Sequence, residues 1–138
     1  MEVIKNIDEK TAYIETLVKF AGVDGKIHSK EKEYIRNVAI AHGVPEDTLK
    51  RSFADAEKKQ YDKIVAPLRK RRQKLLLISD LVGVGYADGE YTDIEKQEIQ
   101  VIGKHLDIEA KKIEEIEEIT FESLKLRYKT MQVMEMYV

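Results

Sequence analysis

Between Leu75 and Ala87 the chain reads LLLISDLVGVGYA. A helix that is apolar nearly all round has no face to give to water, so other elements must enclose it. It is also shorter than the roughly 20 apolar residues that carry a helix across a bilayer. The centre of a helical bundle is the place left for it, and the rest of the chain supplies the enclosing helices. Two prolines and seven glycines are the strong breakers, and between them apolar residues recur at three- and four-residue spacing rather than alternating, which predicts an all-α protein. One helix is expected over about Thr11 to Gly22, with Ile14, Leu17, Val18 and Ala21 inward. A second is expected over about Ser29 to His42, with Ile35, Val38 and Ala39 inward, stopping at Gly43, where glycine suits a left-handed C-terminal residue. A third runs from Pro45 to Lys59 and buries Leu49 and Phe53. Pro67 opens the central helix after a connection through Tyr61 to Ala66. Three more, over about Thr92 to His105, Glu109 to Ile119 and Glu122 to Tyr137, bring the reading to seven.

At 138 residues the chain suits one domain, residues 1–138, able to bury most of its unfolded surface. With 43% hydrophobic and 36% charged residues it has material for a core and too much charge for a membrane protein. The net charge of −2 advertises neither nucleic acid nor a membrane surface as partner. Without cysteine there is no disulfide, thiol nucleophile, thiolate zinc site or iron–sulfur ligation, which suits a cytoplasmic protein. The first residues include acidic side chains and no apolar segment leading to a cleavage site, so no signal peptide is expected.

Sliding the chain on itself by 64 positions lays Leu17 to Ile35 over Leu81 to Ile99. Identical pairs are Leu17/Leu81, Val18/Val82, Asp24/Asp88, Gly25/Gly89, Glu31/Glu95, Lys32/Lys96 and Ile35/Ile99. Apolar matches such as Ile14/Ile78, Val38/Ile102, Val44/Ile108 and Leu49/Ile113 extend the register. The expected architecture is therefore a bundle of about seven helices, built from two helix-loop-helix repeats, about residues 14–49 and 78–113, related by a pseudo-two-fold axis.

Each repeat carries an Asp-Gly loop followed by Glu at the start of the next helix. The spacing matches the second half of a calcium-binding helix-loop-helix loop, with Asp at the fifth position, Gly at the sixth, an apolar residue at the eighth and Glu at the twelfth. The first and third positions are Phe20 and Gly22 in one copy, and Val84 and Tyr86 in the other. A self-sufficient calcium loop is thereby excluded. An ion would need further oxygens, from Asp93, Glu33 or Glu98 or from the partner loop. The same residues also make good structural caps: Asp-Gly favours a turn with positive φ, and Glu31 and Glu95 stand three residues after His28 and Thr92, the capping-box spacing. Both readings stay open. Asp80, a carboxylate within the apolar helix, must be paired, hydrogen-bonded or protonated.

The pattern Ala87-Asp88-Gly89 with Glu95, after an apolar helix containing Asp80 and with an earlier copy in Asp24-Gly25 and Glu31, resembles the TerB-like family associated with tellurite resistance. The resemblance spans about Ile14 to Ile113. It implies a non-enzymatic, all-helical stress-response domain in two related halves, with Asp24, Glu31, Asp88, Glu95 and Asp80 as metal ligands. It equally implies a protein-interaction role, since the family includes domains joined to J-domain co-chaperones. The first copy departs from the pattern, with Val23 in place of Ala87 and Thr16 in place of Asp80. All-oxygen donors favour calcium, magnesium or manganese over copper or zinc.

The run Arg69 to Lys74 concentrates positive charge in the first turns of a helix, where the dipole disfavours cations. Pairing with the glutamates between Asp107 and Glu122 is the expected compensation. No aromatic residues interleave with it, so nucleic-acid binding is not expected. His28 adjoins the first loop, while His42 and His105 are placed at helix ends. There is no HExxH pair, Walker loop, nucleophile elbow or complete GxGxxG, so no enzymatic activity is expected. The apolar tail from Met131 to Val138 suits either core packing or self-association, with a protein partner or a homodimer as the expected company.

Overall fold

The computed structural model describes residues 2–136, and among them every regular element is helical. The elements are α1 (Ile7–Ala21), α2 (Ser29–Ala41), α3 (Glu46–Asp55) with a 3-10 turn at Ala56–Lys58, α4 (Tyr61–Ile64), α5 (Arg71–Tyr86), α6 (Asp93–His105) and α7 (Ala110–Met136).

The apolar helix is the centre, as its composition demands. Leu77, Ile78, Leu81, Val82 and Val84 of α5 are fully buried, and α1, α2, α6 and α7 pack around them. The inward faces read from α1, α2 and α6 are also buried, through Ile14, Leu17 and Val18, through Ile35 and Ala39, and through Ile99 and Ile102. Two glycines of α5 permit close approach. A methyl group on Gly83 would come within 2.0 Å of the Tyr34 hydroxyl, and one on Gly85 within 2.6 Å of the Tyr91 ring.

The helix limits differ from the expected ones in three places. The first helix begins at Ile7 rather than Thr11, because Asn6 and Glu9 form a capping box: the Glu9 N–H donates to Asn6 Oδ1 (2.8 Å) and the Asn6 N–H to Glu9 Oε1 (3.3 Å). The connection before the central helix holds the short α4, and α5 starts at Arg71 rather than Pro67. Gln73 supports that start, accepting the Lys70 N–H (3.2 Å) and donating to the Val3 carbonyl (3.0 Å). The third difference is at the C-terminus, where the two expected helices are one 27-residue helix. No proline or glycine lies between Glu109 and Met136 to interrupt it.

The basic run is compensated as expected at one position: Arg71 makes a two-pronged bond to Glu109 (3.0 and 3.1 Å). The tail of α7 takes no part in the core, since Met131, Val133 and Met134 are more than half exposed. Tyr137 and Val138, included in that reading, lie outside the described residues.

Candidate functional site

The ends of α1 and α5 bring the two Asp-Gly loops together. Phe20, just before the first loop, lies against Gly85, just before the second, with its ring carbon 3.7 Å from where a Gly85 methyl would stand. From there each loop folds the same way. Gly25 and Gly89 take positive φ angles of 96° and 91°, which explains glycine at both positions. The Lys26 N–H donates to Asp24 Oδ1 (3.3 Å) and the Glu90 N–H to Asp88 Oδ1 (3.1 Å), the local turn in which an aspartate accepts from two residues on. Glu31 accepts the His28 N–H (2.8 Å), and Glu95 accepts the Thr92 N–H (2.8 Å). In the second copy the cap is reciprocal, with the Glu95 N–H donating to Thr92 Oγ1 (3.2 Å). The likeness continues to the far ends of α2 and α6. Gly43 and Asp107, again 64 apart, are both left-handed, and Val44 and Ile108 each donate back across them to Ala39 and Gly103.

Charge distinguishes this place from an ordinary pair of caps. Glu31 and Glu95 are only 2% and 5% exposed, and among the described residues neither is ion-paired with a basic side chain. Burial pushes both carboxyls above their usual range, and the backbone donors at His28 and Thr92 pull them partly back. The two loops also act on each other. Asp88 and Glu95 raise Glu31, while Asp88 and Asp24 raise Glu95. Four carboxylates are thus grouped about the two loops, and the His28 imidazole stands beside them, its Nε2 3.5 Å from Asp24 Oδ2.

A family model described as tellurite resistance protein TerB matches residues 44–118, more than half of the 138. The chain belongs to the TerB family. The match takes in the second loop with Asp88 and Glu95, together with Asp80, and begins after the first loop. No curated protein and no solved structure matches the chain.

The donors of this TerB domain suit a hard cation in kind, being carboxylates with one oxygen of each committed to the main chain. Their arrangement is not a finished shell: among the described residues, no three His, Asp or Glu side chains are gathered so as to hold an ion. Asp24 and Asp88 are exposed at the loop tips, whereas Glu31 and Glu95 are buried at their base. Asp80 sits elsewhere. It accepts from the Tyr13 hydroxyl and, at 3.2 Å, from the Tyr34 hydroxyl, and it is absent from the charges that act most on the loop glutamates. Burial raises its carboxyl, opposed by the two tyrosines and His42. Its role in the structure is to tie α1 and α2 to α5. The two tyrosines were not legible as its partners, because they are distant in sequence. Of the other oxygens considered, Glu98 accepts from the Tyr61 hydroxyl (2.8 Å), and Asp93 and Glu33 are exposed. Phe20 and Val84 are fully buried, which is why the first position of a calcium loop is closed to ligands in both copies. His42 packs against the Tyr13 ring and His105 against the Tyr61 ring, each at a helix end.

Proposed function

We propose that this TerB-family domain is a non-enzymatic, tellurite-resistance-like stress-response domain that takes up a divalent cation between its two Asp-Gly loops. Duplication of one helix-loop-helix unit accounts for the paired loops. The observation that carries the reading is the clustering of negative charge: two buried glutamates from different loops, neither ion-paired with a basic side chain among the described residues, with Asp88 and Glu95 raising Glu31, and Asp88 and Asp24 raising Glu95. Capping accounts for one oxygen of each carboxylate. It does not account for setting four of them against one another, an arrangement that costs free energy until a cation neutralises it. Since no finished ligand shell is present, the exposed Asp24 and Asp88 close on the ion while Glu31 and Glu95 stay on their caps. Calcium, magnesium and manganese are the ions that such donors suit.

Calorimetric titration of the chelator-stripped protein with each ion tests this. Saturable heat is expected from at least one, with a rise in melting temperature that follows ion concentration, about 2.7 kcal/mol at a hundred times Kd. Asp24→Asn with Asp88→Asn should abolish the heat. Silence from all three ions at millimolar concentration leaves the loops as caps only.

A further inference from the structure

Of the basic run at the start of the central helix, only Arg71 is ion-paired among the described residues. Arg72, the next residue, is exposed, and α5 has no acidic residue in its first turn, although the helix dipole favours negative charge there. The surroundings of Arg72 are just as incomplete. A helix apolar nearly all round should be covered on every side, yet Leu75 and Leu76 are only partly buried. They line a mostly apolar groove of about 620 Å³ whose opposite wall is Ile116 and Ile119 of α7. The two helices run in the same direction along it: Arg71 holds Glu109 just ahead of α7, and Tyr86 stacks on Phe121 where α5 ends. Both helix N-termini, with their positive dipole ends, therefore lie at one end of the groove. Arg72 and Lys112 line that same end, and Lys112 is already engaged with Glu115 (3.1 Å). From there the groove follows the helices to Ser79 and Thr120, roughly 12 Å at 1.5 Å per residue.

We infer that this groove binds a free fatty acid, its carboxylate against Arg72 and its hydrocarbon chain along Leu75, Leu76, Ile116 and Ile119. The polarity of the groove selects the occupant. At its basic end Arg71 and Lys112 are already paired with Glu109 and Glu115, and Arg72 is not, which suits a ligand with a single anionic group. A carboxylate takes the two parallel N–H bonds that a guanidinium fork presents. Beyond that end the lining side chains are aliphatic except for Ser79 and Thr120, which suits a chain that makes no hydrogen bonds. A partner helix is a poorer fit, because with its side chains it is about 10–12 Å across, as wide as this groove is long. The bound carboxylate supplies the negative charge missing from the first turn of α5, and the chain covers Leu75 and Leu76. The groove opens at the start of α5, whereas the second Asp-Gly loop follows its end, so this site is separate from the loops.

Calorimetric titration of the full chain with octanoate, decanoate and dodecanoate, each below its micelle concentration and without added divalent ions, tests the inference. Binding at a single site is expected, tightening about two- to fourfold for each added methylene. Arg72→Glu should weaken dodecanoate about tenfold or more. Ile119→Glu, which sets a charge at the tail end of the groove, should weaken dodecanoate more than octanoate. Neither change should lower the melting temperature, since both side chains are exposed. Dodecanol should bind more weakly than dodecanoate and be indifferent to Arg72→Glu. The absence of saturable heat overturns the inference, as does an affinity independent of chain length, dodecanol binding as tightly as dodecanoate, or dodecanoate binding untouched by the two variants. Binding to vesicles of anionic phospholipid but not to dodecanoate would overturn it in favour of a membrane contact.

Discussion

Glu31 and Glu95 each answer two opposed demands, and substitutions can separate them. As caps they need only an acceptor oxygen for the His28 and Thr92 N–H groups. As charges they oppose their burial and the other loop's carboxylates, Asp88 and Glu95 acting on Glu31 and Asp24 on Glu95. Alanine removes the acceptor, so Glu31→Ala should cost about 1–2 kcal/mol, the usual worth of a lost helix cap. Glutamine keeps the acceptor and removes the charge. Without added metal, Glu31→Gln should therefore match or exceed the native stability at neutral pH. Because the folded-state pKa of both groups lies above the ordinary glutamate value, the native fold binds more protons than the unfolded chain in the window above it. The stability these groups give is complete below about pH 4.5 and is lost as the pH rises through the folded values. Urea unfolding of native protein and Glu31→Gln from pH 4.5 to 7 should show the variant gaining on the native protein as pH rises. A constant difference would mean that the burial and repulsion are not felt.

At the scale of elements, composition foretold more than punctuation did. The apolar run from Leu75 to Ala87 announced a buried central helix, since no other placement hides so much surface, and the inward faces of α1 and α2 followed from spacing, with Ile99 and Ile102 of α6 following from the 64-residue offset. What could not be read was what lies next to what. Nothing in the sequence says that Tyr13 and Tyr34 hold Asp80, because those contacts exist only once α1 and α2 have packed on α5. The continuity of α7 was missed for a different reason. The polar and β-branched residues around Thr120 and Glu122 only weaken a helix by tenths of a kcal/mol, while a break needs proline, glycine or competing packing. Gly83 shows how closely α2 and α5 approach. Gly83→Ala places a methyl group on the Tyr34 hydroxyl, so Tyr34 must leave Asp80, at an expected cost of about 1–3 kcal/mol. In a Tyr34→Ala background the same change should cost much less, because the obstructing ring is gone. Equal costs in the two backgrounds, measured by chemical denaturation, would show that Tyr34 does not occupy that space.

For the whole molecule, the account rests on convergence. The bundle places two loops of matching geometry, far apart in the chain, where their carboxylates feel one another. The sequence displayed both loops and their offset of 64 residues, and it left open whether they face each other, since that depends on how α1 and α5 cross. Their meeting is the feature on which a shared cation depends, and paramagnetic relaxation reports it directly. Manganese added at a small fraction of the protein concentration should broaden the amide resonances of both Gly25 and Gly89, leave that of Gly43 sharp, and lose its effect when Asp24→Asn and Asp88→Asn are combined. Broadening at one loop alone, at the glutamates of α7 instead, or at no defined place would contradict a cation held between the loops.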